Sequence, residues 1–312
     1  MMQVFRDPLA STDLPKGAVA TIGNFDGVHR GHQKILSSVV ARARERGRPA
    51  IAITFDPHPL KVLHPELAPK MIQTLPQREE MIEALGIDAL LAIPFTRDFS
   101  LTEPEQFVGS FLHRRLAVSE ILLGSHFAFG RGKRGNLELL EKLGGSFGFA
   151  AEGVGEVLHD GVPISSTRIR EAILGGDIAS ANAMLGRPHA LDGVIARGDR
   201  MGRRIGYPTI NLRAENELVP ADGVYFSRVF FKSFGREFDC VTNIGRRPTV
   251  YENYDTTIES FVLDFSSDVY GERIRLFFHD RVRDEMTFPS MMDLTAQIAR
   301  DIESTRDYFS RK

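Results

Sequence analysis

The chain has 312 residues, 42 % hydrophobic and 26 % charged, with a formal net charge of −2. That length suits two folded domains, and that composition excludes a disordered chain. The near-neutral balance gives no field to gather polyanions, so nucleic acid is not an expected partner, and the single Cys240 excludes an internal disulfide or a cysteine zinc cluster.

The first residues, MMQVFRDPLASTDLP, lack a basic segment followed by an apolar one, and no run reaches membrane-spanning length. A cytoplasmic protein with no membrane partner is expected. AVATIGNF (18–25) is a short apolar run that predicts a buried strand. HQKILSSVVARARERG (32–47) has Ile35, Leu36, Val39, Val40 and Ala43 at helical spacing and Gly47 as a stop. PAIAITF (49–55) predicts a second strand closed by the turn DPHP, PQREEMIEALG (76–86) a helix, and IDALLAIPF (87–95) a third strand.

TEPEQFVGSFLHRRL (102–116) reads as a helix opened by a capping box of Thr102 and Glu105. SEILLGS, NLELLEKLG and FAAEGVGEVL continue the alternation, and SSTRIREAILGGD (165–177) reads as a helix opened by hydroxyl residues. Strand–helix alternation with near-continuous apolar strands predicts an α/β domain with a parallel sheet covered on both faces.

After residue 186 the texture changes. GVYFSRVFF, REFDCVTNIG, TTIESFVLDF and ERIRLFFHD are strand-like and separated by turn residues, which predicts an antiparallel sheet or barrel. MMDLTAQIARDIESTRDYF (291–309), with Leu294, Ile298, Ile302 and Phe309 on one face, predicts a closing helix. The boundary is expected near LGRPHALDG (185–193), which gives domains 1–185 and 186–312.

Two stretches carry chemistry. TIGNFDGVHRGH (21–32) lies at a strand-to-helix turn, where a parallel sheet binds ligands and a helix start favours phosphate. Gly23, Gly27 and Gly31 allow close backbone approach, and His29 and His32 project to one side of a forming turn. Two imidazoles aimed at one phosphate stabilise charge that grows during phosphoryl transfer. Two solvated surface histidines are the other reading of the same residues. A zinc pair lacks both the i, i+4 spacing and the intervening Glu.

The second stretch is GDRMGRRIGYPTINL (198–212). Gly198, Gly202 and Gly206 offer backbone N–H groups to phosphates, and Thr209 and Asn211 present hard oxygen ligands on one side, suited to Mg²⁺. An ordinary glycine-rich turn is the plainer reading. Glu259 alternates with Phe261 and Leu263, which are expected on the inward face.

GNFDGVHRGH resembles the HxGH signature of nucleotidyltransferases, in the form carried by prokaryotic bifunctional riboflavin kinase/FAD synthetases. TFDPHP (54–59), FGRG (129–132), SSTRIRE (165–171), the PTIN of residues 208–211, DGVY (222–225), NIGRRPT (243–249) and IESFVLDF (258–265) follow in family order. The resemblance implies a Rossmann-like nucleotidyltransferase domain and a riboflavin kinase barrel. It implies that riboflavin and ATP give FMN, and that FMN and a second ATP give FAD and pyrophosphate. By the same resemblance His29 and His32 stabilise ATP phosphates, with Gly23, Asn24, Phe25, Asp26 and Gly27 in the loop, and Ser166, Thr167 and Arg168 hold pyrophosphate. Gly198, Gly202 and Arg203 hold the kinase ATP, Thr209 and Asn211 its Mg²⁺, and Glu259 takes the proton of the ribityl hydroxyl. Asp56, His58, His126, Asn243 and Arg247 are the implied flavin contacts. The chain departs from the family pattern at His126, Ile210, Arg246 and Phe261.

A chain with only one active module, and a non-catalytic flavin- or nucleotide-binding regulator, are the rival readings. An RNA-binding relative would need a basic stripe, and RARERGR (42–48) and RGKRG (131–135) are short. The sequence carries no signal of oligomeric state.

Overall fold

A computed structural model describes residues 1–124, 127–198, 201–247 and 255–311. By internal contacts the chain forms two compact units, residues 1–70 with 75–166 and residues 71–74 with 167–312.

The first unit holds a six-stranded parallel sheet of β1 (Gln3–Phe5), β2 (Val19–Ile22), β3 (Ala50–Asp56), β4 (Ala89–Pro94), β5 (Glu120–Gly124) and β6 (Ala150–Val154). The order is β1-β4-β3-β2-β5-β6. Helices α1 (Arg30–Glu45), α2 (Pro59–Leu63), α3 (Leu75–Ala84), α4 (Arg97–Ser100), α5 (Pro104–Phe107), continued by a π-helical stretch Val108–Arg115, and α6 (Leu137–Phe147) connect the strands.

The apolar runs are continuous because both faces are covered. Leu36, Val39 and Ala43 of α1 pack with Val19, Ala50 and Ala52, while Phe107, Phe111 and Leu112 pack with Ala20, Ile22 and Ile51 on the other side. From β2 the sheet grows one way through β3 and β4 and the other way through β5 and β6. The carboxyl ends of β2 and β5 therefore flank the crevice where such sheets bind ligands.

A two-stranded ribbon, β7 (Leu158–His159) and β8 (Val162–Pro163), completes the first unit. The second unit contains α7 (Ser166–Gly175, from Thr167 onward), α8 (Ile178–Leu185), the short α9 (Met201–Arg204) and a closed antiparallel barrel. Its strands are β9 (His189–Ala196), β10 (Ile210–Ala214), β11 (Gly223–Phe231), β12 (Arg236–Arg247), β13 (Asp255–Val262) and β14 (Arg273–Arg283), ordered β10-β13-β12-β11-β14-β9. The last helix is α10 (Met291–Ser310).

Leu191, Leu212, Tyr225, Val229, Ile244, Ile258, Val262 and Leu276 fill the barrel. Within it runs a buried hydroxyl ladder: Ser227 Oγ lies 2.5 Å from Thr242 Oγ1, which lies 2.7 Å from Ser260 Oγ. Cys240 Sγ lies 3.3 Å from Ser227 Oγ, and burial pushes its thiol up to about 12. Such networks hold only when their members are paired, and these are.

One local expectation changes, and the structure adds elements that the sequence did not assign. The N-terminal segment contributes β1, paired in parallel with β4. The helix after Thr102 starts at Pro104 with Glu103 as N-cap and no side-chain capping bond, so the capping box does not form; a proline at the first helical position sets the start instead. β9, which begins at His189 beside the expected boundary, closes the barrel against β10 and β14. α8 packs with the barrel: Ile178 is fully buried in its core. Asn182 Nδ2 also donates to Phe278 O (2.9 Å) and its Oδ1 accepts from His189 N (2.7 Å).

Candidate active sites

The turn after β2 is held by left-handed backbone. Phe25 has φ 48°, Gly27 φ 83° and Val28 φ 36°. For the β-branched Val28 this costs roughly 1–3 kcal/mol. Burial of Phe25 and Val28, each 1 % exposed, keeps the loop in place. His29 follows as the N-cap of α1: its Nδ1 accepts from the His32 N–H at 3.3 Å. Its neutral ring therefore carries the proton on Nε2.

The two rings stack, with centroids 3.6 Å apart and planes 19° apart, and Phe25 meets His32 edge-on at 5.4 Å. A Cβ on Gly31 would lie 3.1 Å from His29 Nδ1 and Cε1, a tight contact that the imidazole would have to ease. Gly23, by the same measure, makes room for the Phe25 ring. Desolvation, then the neighbouring His29 and the Arg78 cation, hold the His32 imidazole well below its ordinary value. Its Nδ1 is buried with no hydrogen-bond partner among the described residues.

Asn24, Asp26 and the DPHP turn complete this first site. The Asn24 carbonyl accepts from Arg78 Nη1 (2.7 Å) and Thr54 Oγ1 (3.3 Å), and its side-chain amide lies 3.2 Å from His58 Nε2. His58 also caps α2, its Nδ1 accepting from Leu60 N. The Asp26 carboxylate is buried, and its carbonyl accepts from Ser166 Oγ at 2.9 Å. That bond ties the first residue of α7 to the loop; Thr167 and Arg168 are the next two residues of that helix. His126 lies outside the described residues.

The sequence reading missed Arg78. The residue is 4 % exposed, with Nη1 against the loop carbonyl of Asn24. The signal was present: Arg78 stands four residues before Ile82, on the stripe of α3 that is buried.

The second site lies on the barrel wall. Antiparallel register sets Asn211 opposite Glu259 and Glu259 opposite Asn243, so three polar side chains form a row across β10, β13 and β12. Directly paired positions bring Cβ atoms to about 5 Å. A Cβ on Gly198 would fall 2.5 Å from Asn211 Nδ2, and one on Gly202 would fall 2.3 Å from Tyr207 O and 3.3 Å from Thr209 Oγ1. Gly198 thus lets the Asn211 side chain, and Gly202 the Tyr207 carbonyl, pack directly on the backbone. Ile210 faces the core, away from that pair.

The expectation that Glu259, Phe261 and Leu263 form the inward face is overturned. Ile258, Ser260 and Val262 point into the barrel, and Glu259 and Phe261 lie on the outer face. The outer face is apolar at Phe261 because Tyr207 packs edge-on against it at 5.7 Å. Arg246 pairs through Nε with Asp222 Oδ2 at 3.0 Å. The side chains of Arg203 and Arg247 lie outside the described set.

A cleft of about 590 Å³ bounded by Gln3, Arg44, Arg48, Pro49 and Asp88 opens at the amino ends of the strands of the first unit, and no motif residue lines it. No helix among the described residues is long and apolar enough to cross a membrane.

A family model described as FAD synthetase matches residues 11–168, and one described as riboflavin kinase matches residues 185–309. A bifunctional riboflavin kinase/FMN adenylyltransferase of Escherichia coli (strain K12) is 36 % identical over 94 % of this chain and 93 % of its own length. One so named from Haemophilus influenzae is 33 % identical over 99 % of this chain and 100 % of its own. A solved structure described as a macrolide-efflux protein from Streptococcus pneumoniae superposes with a TM-score of 0.88 at 30 % identity, covering 98 % of each chain. Both halves match in order and at nearly full length, and the chain belongs to the family of bifunctional riboflavin kinase/FMN adenylyltransferases.

Proposed function

We infer that the chain makes FAD in two steps with the labour divided between residues 1–185 and 186–312. In the second part the ribityl hydroxyl of riboflavin attacks the γ-phosphorus of ATP, giving FMN and ADP. In the first the phosphate of FMN attacks the α-phosphorus of another ATP, giving FAD and pyrophosphate.

For the kinase step, Glu259 accepts the hydroxyl proton as the new P–O bond forms. Asn243 across the strand pair orients the flavin end, together with Arg247, and Gly198, Gly202 and Arg203 receive the ATP phosphates. The hydroxyl of Thr209 and the amide oxygen of Asn211 are hard donors of the kind a hydrated Mg²⁺ takes, and they stand beside Gly202 and Gly198. When bound, that ion neutralises phosphate charge.

For adenylyl transfer, His29 offers its Nε2–H, and a neutral His32 stacks beside it, so the pair donates to the α-phosphate without itself giving up a full charge. The opening turn of α1 adds its N–H groups, and the residue 23–27 loop lets the triphosphate approach. Ser166, Thr167 and Arg168 receive the leaving pyrophosphate; Asp56, His58 and His126 are assigned to the flavin. A cytoplasmic site of action fits a lone cysteine buried in the barrel. No nucleic acid or membrane partner is assigned.

The stacked histidine pair at the start of α1 is the observation that carries this reading. Incubation with riboflavin and MgATP, followed by separation of the flavins, tests it. The wild type yields FMN and FAD. Glu259→Ala yields no FMN from riboflavin yet converts added FMN to FAD, and His29→Ala with His32→Ala lets FMN accumulate. Normal FMN formation by the Glu259 variant refutes the base assignment.

A further inference from the structure

Arg78 is a cation in a place that packing alone does not explain. Its side chain is 5 % exposed at the start of α3, and its Nε is buried with no hydrogen-bond partner among the described residues. An apolar residue of similar size would avoid the desolvation a guanidinium suffers there. Its charge is nonetheless matched to its surroundings. Nη1 donates to the Asn24 carbonyl at 2.7 Å, and Nη2 lies 4.0 Å from Asp56 Oδ1. Asp26, Asp56 and Glu79 are the carboxylates that act on it.

These partners belong to both sequence motifs of the first unit. Asn24 and Asp26 sit in the loop before the histidines, and Asp56 opens the DPHP turn. One guanidinium joins the carboxyl end of β2 to that of β3 from below.

We propose that Arg78 is the positioning residue of adenylyl transfer, fixing the Asn24–Val28 loop against β3 so that His29 and His32 meet the α-phosphate. Arg78 touches no substrate in this account; it acts through the Asn24 carbonyl and through its field on His32. The inference rests on the adenylyl-transfer reading above and adds a residue that no motif names.

The field gives a readout that a packing role would not. The charged and titratable groups acting on His32 are His29 and Arg78, and those acting on Arg78 are Asp26, Asp56 and Glu79. Arg78 opposes protonation of His32, so its loss makes His32 easier to protonate. The acid limb of the FMN-to-FAD rate profile then moves to higher pH.

The test compares full-length wild type, Arg78→Gln and Arg78→Lys for FAD formation from added FMN and ATP between pH 5 and 9, with FMN formation from riboflavin measured on the same preparations. Arg78→Gln is expected to lose about tenfold to a hundredfold in FAD formation, the effect of losing a charged hydrogen bond that holds a reacting loop. Its acid limb shifts upward and its kinase rate stays within about twofold. Arg78→Lys keeps the charge, so its limb stays at the wild-type pH while its rate falls.

Unchanged FAD formation in Arg78→Gln overturns the proposal, and so does a reduced rate with an unmoved acid limb. If Arg78→Gln does not fold, Arg78→Lys decides alone: a limb at the wild-type position with a lowered rate supports the proposal, and a wild-type rate overturns it. A wild type that makes no FAD from FMN overturns the adenylyl-transfer reading itself.

Discussion

His29 and His32 were readable as a pair because three-residue spacing at a helix start puts two side chains on one side. Their stacking was not readable, since it depends on the left-handed residues Phe25 and Val28, types that rarely adopt that backbone. Gly31→Ala probes the arrangement: a methyl 3.1 Å from the His29 ring turns the imidazole aside. FAD formation should fall about tenfold with FMN formation intact, measured on one preparation. Gly198→Ala is the counterpart on the barrel: crowding of Asn211 should slow FMN formation and spare conversion of added FMN. Arg78 escaped the sequence reading because its partners include a carbonyl and two carboxylates, Asp26 and Asp56, distant in the chain.

His189 makes a third prediction at this scale. Burial, then the charge of Arg187, lowers its pKa to about 4, against a carbonyl contact with Leu218 that raises it. An unfolded chain binds a proton at this histidine below about pH 6.5, whereas the folded chain does so only below about 4. Stability is therefore lost as pH falls through that window, by up to about 3 kcal/mol. Urea unfolding at pH 7 and pH 5 should show the loss, and His189→Phe should reduce it.

Among the elements, long apolar runs and amphipathic helices were legible, and the reading failed where a pattern had two interpretations. Residues 258–263 alternate, but both sets of side chains are partly apolar, so alternation alone left the inward set undecided. The register settles it by placing Glu259 between Asn211 and Asn243. In α10 the apolar stripe includes a buried carboxylate: Asp301 Oδ2 accepts from Arg283 Nη2 at 2.8 Å. Arg283→Ala strands that charge and should destabilise the second unit by about 3 kcal/mol in chemical denaturation. The double change Arg283→Met with Asp301→Leu should recover most of the loss.

For the whole molecule, the sequence separated an alternating α/β part from an all-β part, and the sheet and the barrel bear that out. Its boundary at residues 185 and 186 puts α8 (Ile178–Leu185) with the first part and β9 (His189–Ala196) with the second. Their membership in the barrel is a matter of tertiary contacts, Ile178 in the core and Asn182 bonded to Phe278 and His189. A fragment of residues 167–312 should accordingly melt roughly 10 °C above one of residues 186–312, because the shorter piece uncovers a core isoleucine and three hydrogen bonds.

The outward row of Glu259, Asn211 and Asn243 has a practical consequence. The barrel is zipped from inside by hydroxyls and apolar side chains, and Ile258, Ser260 and Val262 lie on the opposite face of the strand from Glu259. On the proposed roles, chemistry can thus be silenced on the wall while the staves stay upright, and Glu259→Ala should keep the melting temperature of its parent.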